Sequence, residues 1–230
     1  MPIPSETLSW ADSLTWLLAL ALAAFLVSWL VTDRLRVGQV TYVVALTVVT
    51  AAFTIGYLAW AGISLRDFIA DRWLWGVAVG VLAGAVPAFA MARMKATVPA
   101  EHGVHRAERV AWDGVVYAIS EGLLLSTLPA LMAWQMVHSL GWSGAAGAVS
   151  RVALPVLASI AVIVVHHLGY PEFRNPRQMS LAVIGCGLLT VGFLVTGNIL
   201  TAPVGHVLMH TAAVLHGTEL PPHREPAATV

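Results

Sequence analysis

Seven stretches of this chain are each apolar for close to the length of a membrane span, and no other feature limits its possible folds as tightly. They cover about 14–31, 40–61, 74–91, 110–137, 146–166, 179–195 and 199–216. A bilayer core of roughly 30 Å needs about 20 such residues per helix, and only helices or closed barrels satisfy their backbone groups there. The reading is an all-α polytopic transmembrane bundle of about seven helices, a single domain over 1–216. A short polar tail, 217–230, is expected to be disordered. The fourth stretch is longer than a span requires, so it is expected to tilt or project. The last two, joined by Thr196-Gly197-Asn198, should form a tight helical hairpin.

Basic residues set the orientation. If the helices alternate, Arg34, Arg36, Arg93, Lys95, Arg106, Arg109, Arg174, Arg177 and Arg224 fall on one side, against Arg66, Arg72 and Arg151 on the other. This predicts the N-terminus outside and the C-terminus inside, with membrane lipid as a partner and a bacterial plasma membrane as the expected location. Segment 92–109 reads as a solvated, charged loop. The first stretch reads as a retained helix, since no Lys or Arg precedes it as in a signal peptide. With 12 basic and 12 acidic residues the formal charge is zero, which excludes nucleic acid as an electrostatic partner. The single cysteine, Cys186, cannot form an internal disulfide and reads as a packing residue.

Against a hydrophobic fraction of 58%, the ionisable groups inside the apolar runs stand out, because each costs a few kcal/mol or more at the centre of a bilayer. Glu121 lies about eleven residues into the fourth stretch, roughly 16 Å along the helix, with Tyr117 one turn before it and Gln135 returning to the same face. His166 and His167 end the fifth stretch; adjacent helical residues point about 100° apart, so one of the two is expected to face a common site. His206 and His210, at i and i+4, share a face of the last stretch. His138 and His216 lie off these faces and read as interfacial.

A carboxylate and imidazoles from three helices are what a site in a bundle core needs. Two chemistries fit. Glu121 can act as general base on water while imidazoles stabilise a developing oxyanion. Alternatively Glu121 and the histidines can bind a divalent metal, zinc being the obvious ion, with Glu121 as ligand or base. The residues do not choose between them. A third reading makes these groups interhelical contacts and nothing more.

The order of these residues resembles the CPBP family of intramembrane proteases, also called CAAX protease and self-immunity proteins. The family pattern is Glu-Glu-x-x-x-Arg, Phe-x-x-x-His and His-x-x-x-Asn. The third motif is the nearest match: Gly197-Asn198 through Ala202-Pro203 into His206, with His210 where the asparagine stands. His167 fits the second motif, with Ile163 in place of phenylalanine. In the first, Ser120-Glu121 replaces the paired glutamates and Leu125 the arginine. The resemblance covers roughly 62–216. It implies an intramembrane endopeptidase in which Glu121 activates water, His167 and His206 assist at the scissile carbonyl, and His210 takes the supporting role, with His166 as substitute for His167. The implied substrate is a peptide or membrane protein. A CPBP-like scaffold or immunity protein without catalysis is the alternative, because of the missing glutamate and arginine.

One geometric demand follows. The fifth stretch ends near His167 at the inner face, whereas His206 lies nearer the outer end of the last. The site therefore requires a deeper fifth helix or a dip of 199–204 into the bundle, with Pro203 as a break. A rhomboid-type serine protease is suggested only by Gly141-Trp142-Ser143-Gly144, which reads more simply as a turn.

Overall fold

The computed structural model describes residues 9–35, 37–96 and 103–218. Arg36, Arg224 and the tail beyond Thr218 lie outside the described residues, and with them most of the segment expected to be disordered. Among the described residues the chain is all-helical, without strands. In chain order the helices are α1 (Trp10–Arg34, its last turns π-helical), α2 (Gln39–Trp60), the short α3 (Leu65–Ala70) and α4 (Trp73–Arg93). There follow α5 (Gly103–Ser139), α6 (Gly144–Leu168), α7 (Pro176–Thr196) and α8 (Thr201–His216).

Local sequence explains the boundaries. Ser9 and Ser64 accept from Asp12 N and Asp67 N at 3.1 and 3.3 Å, capping α1 and α3, and Asn175 caps α7 ahead of Pro176 at its first position. Gly197 and Gly217, at φ 65° and 74°, end α7 and α8 in the left-handed conformation that glycine adopts without a Cβ penalty.

Six of these helices, α1, α2, α4, α5, α6 and α7, are long and apolar enough to cross a membrane. The last apolar stretch forms α8, whose 16 residues reach only about 24 Å. It is the one stretch of the expected seven that forms a helix shorter than a full span. Segment 92–109 also differs from expectation: Gly103–Arg109 is helical, forming the first turns of α5. A loop reading weighs hydropathy alone, and a helix can continue past the apolar zone as long as its polar face meets water. Over 37 residues α5 runs about 55 Å, so it projects well beyond a bilayer core.

α5 is also the centre of the bundle. Its most apolar window is 78% buried, against 17–39% for the other five long helices, whose outer faces carry exposed Leu18, Leu22, Leu82 and Ile184 as lipid-facing residues do. α4 and α8 run parallel in close contact. A Cβ added to Gly76, Gly80 or Gly84 would lie 2.6 Å from Asn198 Oδ1, 2.6 Å from Thr201 O or 2.5 Å from Gly205 Cα. This small-x-x-x-small stripe is what lets two backbones approach so nearly. Gly122 of α5 meets Pro203 in the same way, at 2.7 Å.

Candidate functional site

Glu121 sits in a single α-helical turn, Ala118–Glu121, between two π-helical segments of α5, Val110–Tyr117 and Gly122–Thr127. Such wide turns change which face a helix presents and are frequent at functional sites. The turn carries Glu121 to the bundle interior, 3% exposed. Tyr117, one turn earlier, donates its hydroxyl to Oε1 of Glu121 at 2.6 Å. Contact between Gly122 and the start of α8 brings that helix close enough for its two histidines to reach the carboxylate.

His210 Nε2 lies 2.9 Å and His206 Nδ1 3.8 Å from Oε2 of Glu121. The imidazoles are stacked, centroids 5.8 Å apart, and the rings of Tyr117 and His210 meet nearly at right angles with centroids 5.1 Å apart. The approach of His210 lacks hydrogen-bond alignment, so both ring nitrogens of His206 and of His210 are buried without a hydrogen-bond partner. Both nitrogens of His206 and Nδ1 of His210 thus lack a close polar partner, which in an apolar interior is expensive unless something else occupies them.

That is the test a metal must pass, and the residues fit. Glu121, His206 and His210 each offer one ligand atom, all within 4.8 Å of one another. Zinc at about 2.0–2.1 Å from each ligand sets them roughly 3.4 Å apart, so shifts of about an ångström close the triangle.

The two histidines at the end of α6 have different tasks. His166 is satisfied at both nitrogens: Nδ1 donates to Ala24 O at 2.9 Å, which makes Nε2 the acceptor for the Tyr170 hydroxyl at 3.0 Å. Tyr170 in turn is hydrogen-bonded to Tyr42. Through this network His166 ties α6 to α1 and α2 while its Nε2 stands 3.7 Å from Oε1 of Glu121. His167 donates Nδ1–H to Ile163 O at 2.8 Å, which leaves Nε2 as a lone-pair acceptor, and its side chain lines a cavity. Both histidines therefore approach the site, where 100° helical spacing led us to expect one; the chain turns inward after α6 and buries Tyr170 over them.

That cavity, about 110 Å³, is lined by Tyr117, Glu121, His167, Cys186 and His210 together with Met91, Met94 and Thr218. Its volume accommodates several waters.

Other residues singled out in the sequence fall elsewhere. Ser120, at the first position of the glutamate pair, turns away to the Thr47 hydroxyl at 3.0 Å. Leu125 is buried packing. Pro203 does not break a helix: it lies in the first turn of α8, where its missing N–H has no intrahelical partner to lose. Ser143 is an exposed residue preceding α6, and the neighbouring Trp142 carbonyl accepts from Arg151 at 3.0 Å, so the Gly-x-Ser-Gly match is a turn. His138 is exposed and stacks on Trp134, and His216 Nε2 donates to Met94 O at 2.6 Å.

Sequence reasoning did not single out Asn198 on its own account. Its amide nitrogen faces the carbonyls of Phe68, Ile69 and Asp71 at 3.1, 3.1 and 2.5 Å, and its Oδ1 accepts from Leu200 N. It thus joins the end of α3 to the start of α8. An asparagine beside a helix-ending glycine is a signal that could have marked it. The buried Asp113, held by Gln39 and by Arg109 at 3.2 Å, was likewise not anticipated.

Fold and site together define an all-helical, membrane-embedded bundle with a buried glutamate and histidine group capable of holding a metal ion. No family model, curated protein or solved structure matches the chain.

Proposed function

We propose that this protein is an intramembrane endopeptidase of the CPBP type, cutting a peptide or membrane-protein substrate with water activated by Glu121. The observation that carries this reading is a carboxylate held by Tyr117 beside His210, which contacts it at 2.9 Å, and His206, neither of whose nitrogens has a hydrogen-bond partner, all bordering a cavity large enough for water. If the polar groups were interhelical contacts alone, those nitrogens would be the ones expected to be satisfied. His166 is the group that behaves as such a contact.

In the proposed reaction, Glu121 removes a proton from a water lodged beside Oε2. The water oxygen bonds to the carbonyl carbon of the peptide, and the C=O π pair moves onto oxygen. N–H groups of His206 and His210 stabilise that oxyanion. As the intermediate collapses, the C–N bond breaks and Glu121 returns the proton to the leaving amine. His167, an acceptor at Nε2, holds water in the cavity. Glu121, His206 and His210 would hold a divalent cation such as zinc, which supplies a more acidic water and a polarised carbonyl when bound.

In this reading α8 is a seventh, shortened crossing, with the N-terminus outside and the C-terminus inside a bacterial plasma membrane. Basic residues at the ends of α4 and the start of α7 support that orientation. The test compares new N-termini among membrane proteins of the native host carrying wild-type protein, Glu121→Gln or His206→Ala at equal abundance. Cleavage products absent from both variants are expected; full cleavage by both refutes the reading.

A further inference from the structure

The Glu121, His206 and His210 group and the cavity overlap without coinciding. His206 is not among the described residues that line the cavity, whereas Cys186 lines it and stands outside the group. The chain has seven methionines and one cysteine, and half of these sulfurs line that one cavity: Cys186 of α7, Met209 of α8, and Met91 and Met94 at the end of α4. Met209 Sδ stands 3.7 Å from where a Cβ on Gly185 would lie, which sets the sulfur of α8 against the turn of α7 that carries Cys186. Peptide hydrolysis by Glu121 gives these sulfurs no task.

Imidazole nitrogen enters from two further residues. His167, its Nδ1–H engaged by Ile163 O, keeps an Nε2 lone pair and lines the cavity. His210 lines it too, only 4% exposed, and its Nδ1 has no polar partner. An acyl chain would cover the sulfurs and leave these nitrogens unpaired, and water would pair the nitrogens but gain little from thioethers. A soft cation takes both, since thiolate and thioether are the ligands that select copper(I) and imidazole suits copper as well.

We propose that the cavity binds one copper(I) ion through the Cys186 thiolate, the Met209 thioether and Nε2 of His167. The space, about 110 Å³, is larger than the ion, so the ligands must close on it. Thioethers on three rotatable bonds are suited to that movement, and Met91 and Met94 complete the wall. On binding, the S–H bond of Cys186 breaks, its proton leaves to solvent and the sulfur pair bonds to copper. One negative and one positive charge then cancel, so no net charge is buried in the apolar interior. The inference does not depend on the endopeptidase reading.

The experiment uses the full chain in phosphatidylcholine nanodiscs, kept reduced with ascorbate under nitrogen. The probe is copper(I) itself, presented as its coloured bicinchoninate complex. Wild-type protein should withdraw about one equivalent, and X-ray absorption of the product should show sulfur and nitrogen in the first shell of copper. Cys186→Ser and Met209→Leu should each weaken copper(I) binding at least about tenfold while zinc uptake is unchanged. His206→Ala should do the reverse, losing zinc and keeping copper(I). The proposal is overturned if the bicinchoninate complex keeps its copper, if the wild-type first shell holds no sulfur, or if both sulfur variants bind copper(I) as tightly as wild type. Should a sulfur variant lose zinc and folded protein as well, the wild-type shell decides: sulfur in it upholds the site, and nitrogen or oxygen alone overturns it. Copper(I) held by sulfur in a protein that takes up no zinc and cleaves nothing would remove the endopeptidase reading and leave this site standing.

Discussion

The Tyr117 hydroxyl donates to Oε1 of Glu121 across 2.6 Å from one turn away on the same helix, leaving Oε2 as the oxygen that faces His206 and His210. One oxygen is thus occupied by the helix's own side chain and the other is presented to the site. A hydrogen bond to a charged group contributes about 1.5–3 kcal/mol. Tyr117→Phe is therefore expected to reduce peptide cleavage roughly 10- to 100-fold while membrane abundance stays near wild type, measured as initial rates in proteoliposomes. An unchanged rate would show that the carboxylate needs no such anchor.

Removing the base itself should be more severe. General acid–base contributions are typically about 10²–10⁴-fold, so Glu121→Gln, nearly isosteric, should lower cleavage by at least a hundredfold without loss of folded protein by size-exclusion profile. A variant that cleaves normally removes Glu121 from the chemistry, and one that aggregates makes it a structural residue.

Metal content separates the histidines. Protein stripped with chelator and then exposed to zinc should take up about one equivalent by elemental analysis, and His206→Ala and His210→Ala should each lose it. His166→Ala should retain it, because both nitrogens of His166 are engaged with Ala24 O and Tyr170. Equal uptake by all four proteins would mean that these histidines are not the ligands.

His166→Ala should instead destabilise. It removes a buried ring and its hydrogen bonds to Ala24 O and the Tyr170 hydroxyl, each contributing about 0.5–1.5 kcal/mol net, although Ser28 and Tyr42 still pair with those two groups. For a chain of this length that corresponds to a thermal midpoint several degrees lower, readable in detergent by tryptophan fluorescence. His167→Ala, which loses one local bond to Ile163 O, should shift the midpoint less.

The contact of α4 with α8 is tested at Gly84. A Cβ there would meet Gly205 Cα at 2.5 Å and Gly205 O at 2.6 Å, backbone atoms that cannot rotate aside, so Gly84→Val should reduce folded protein sharply. Gly187, which has open space around its Cβ position, is the control: Gly187→Ala should leave expression unchanged. Similar losses in both would point to helix propensity alone.

Much of this molecule is legible from its residues. Apolar runs of span length dictate helices because hydrocarbon offers no other partner for the backbone, and they place Glu121, His167, His206 and His210 within helices before any coordinates exist. The i, i+4 spacing puts His206 and His210 on one face, and Tyr117 with Glu121 on another, from helical period alone. Tertiary structure decided the rest. The π-helical turns around Glu121 are not written in hydropathy, and they alter the angle at which α5 presents its carboxylate. Whether His166 or His167 is spent on structure depends on Ala24, Ile163 and Tyr170, and of these Ala24, distant in sequence, is silent until helices pack. The depth of α8, set by glycines pressed against its backbone from α4 and α5, decides that His210 reaches Glu121. Periodicity orients side chains about one helix axis, but the distances between axes come only from packing, and a site shared by three helices is a matter of those distances.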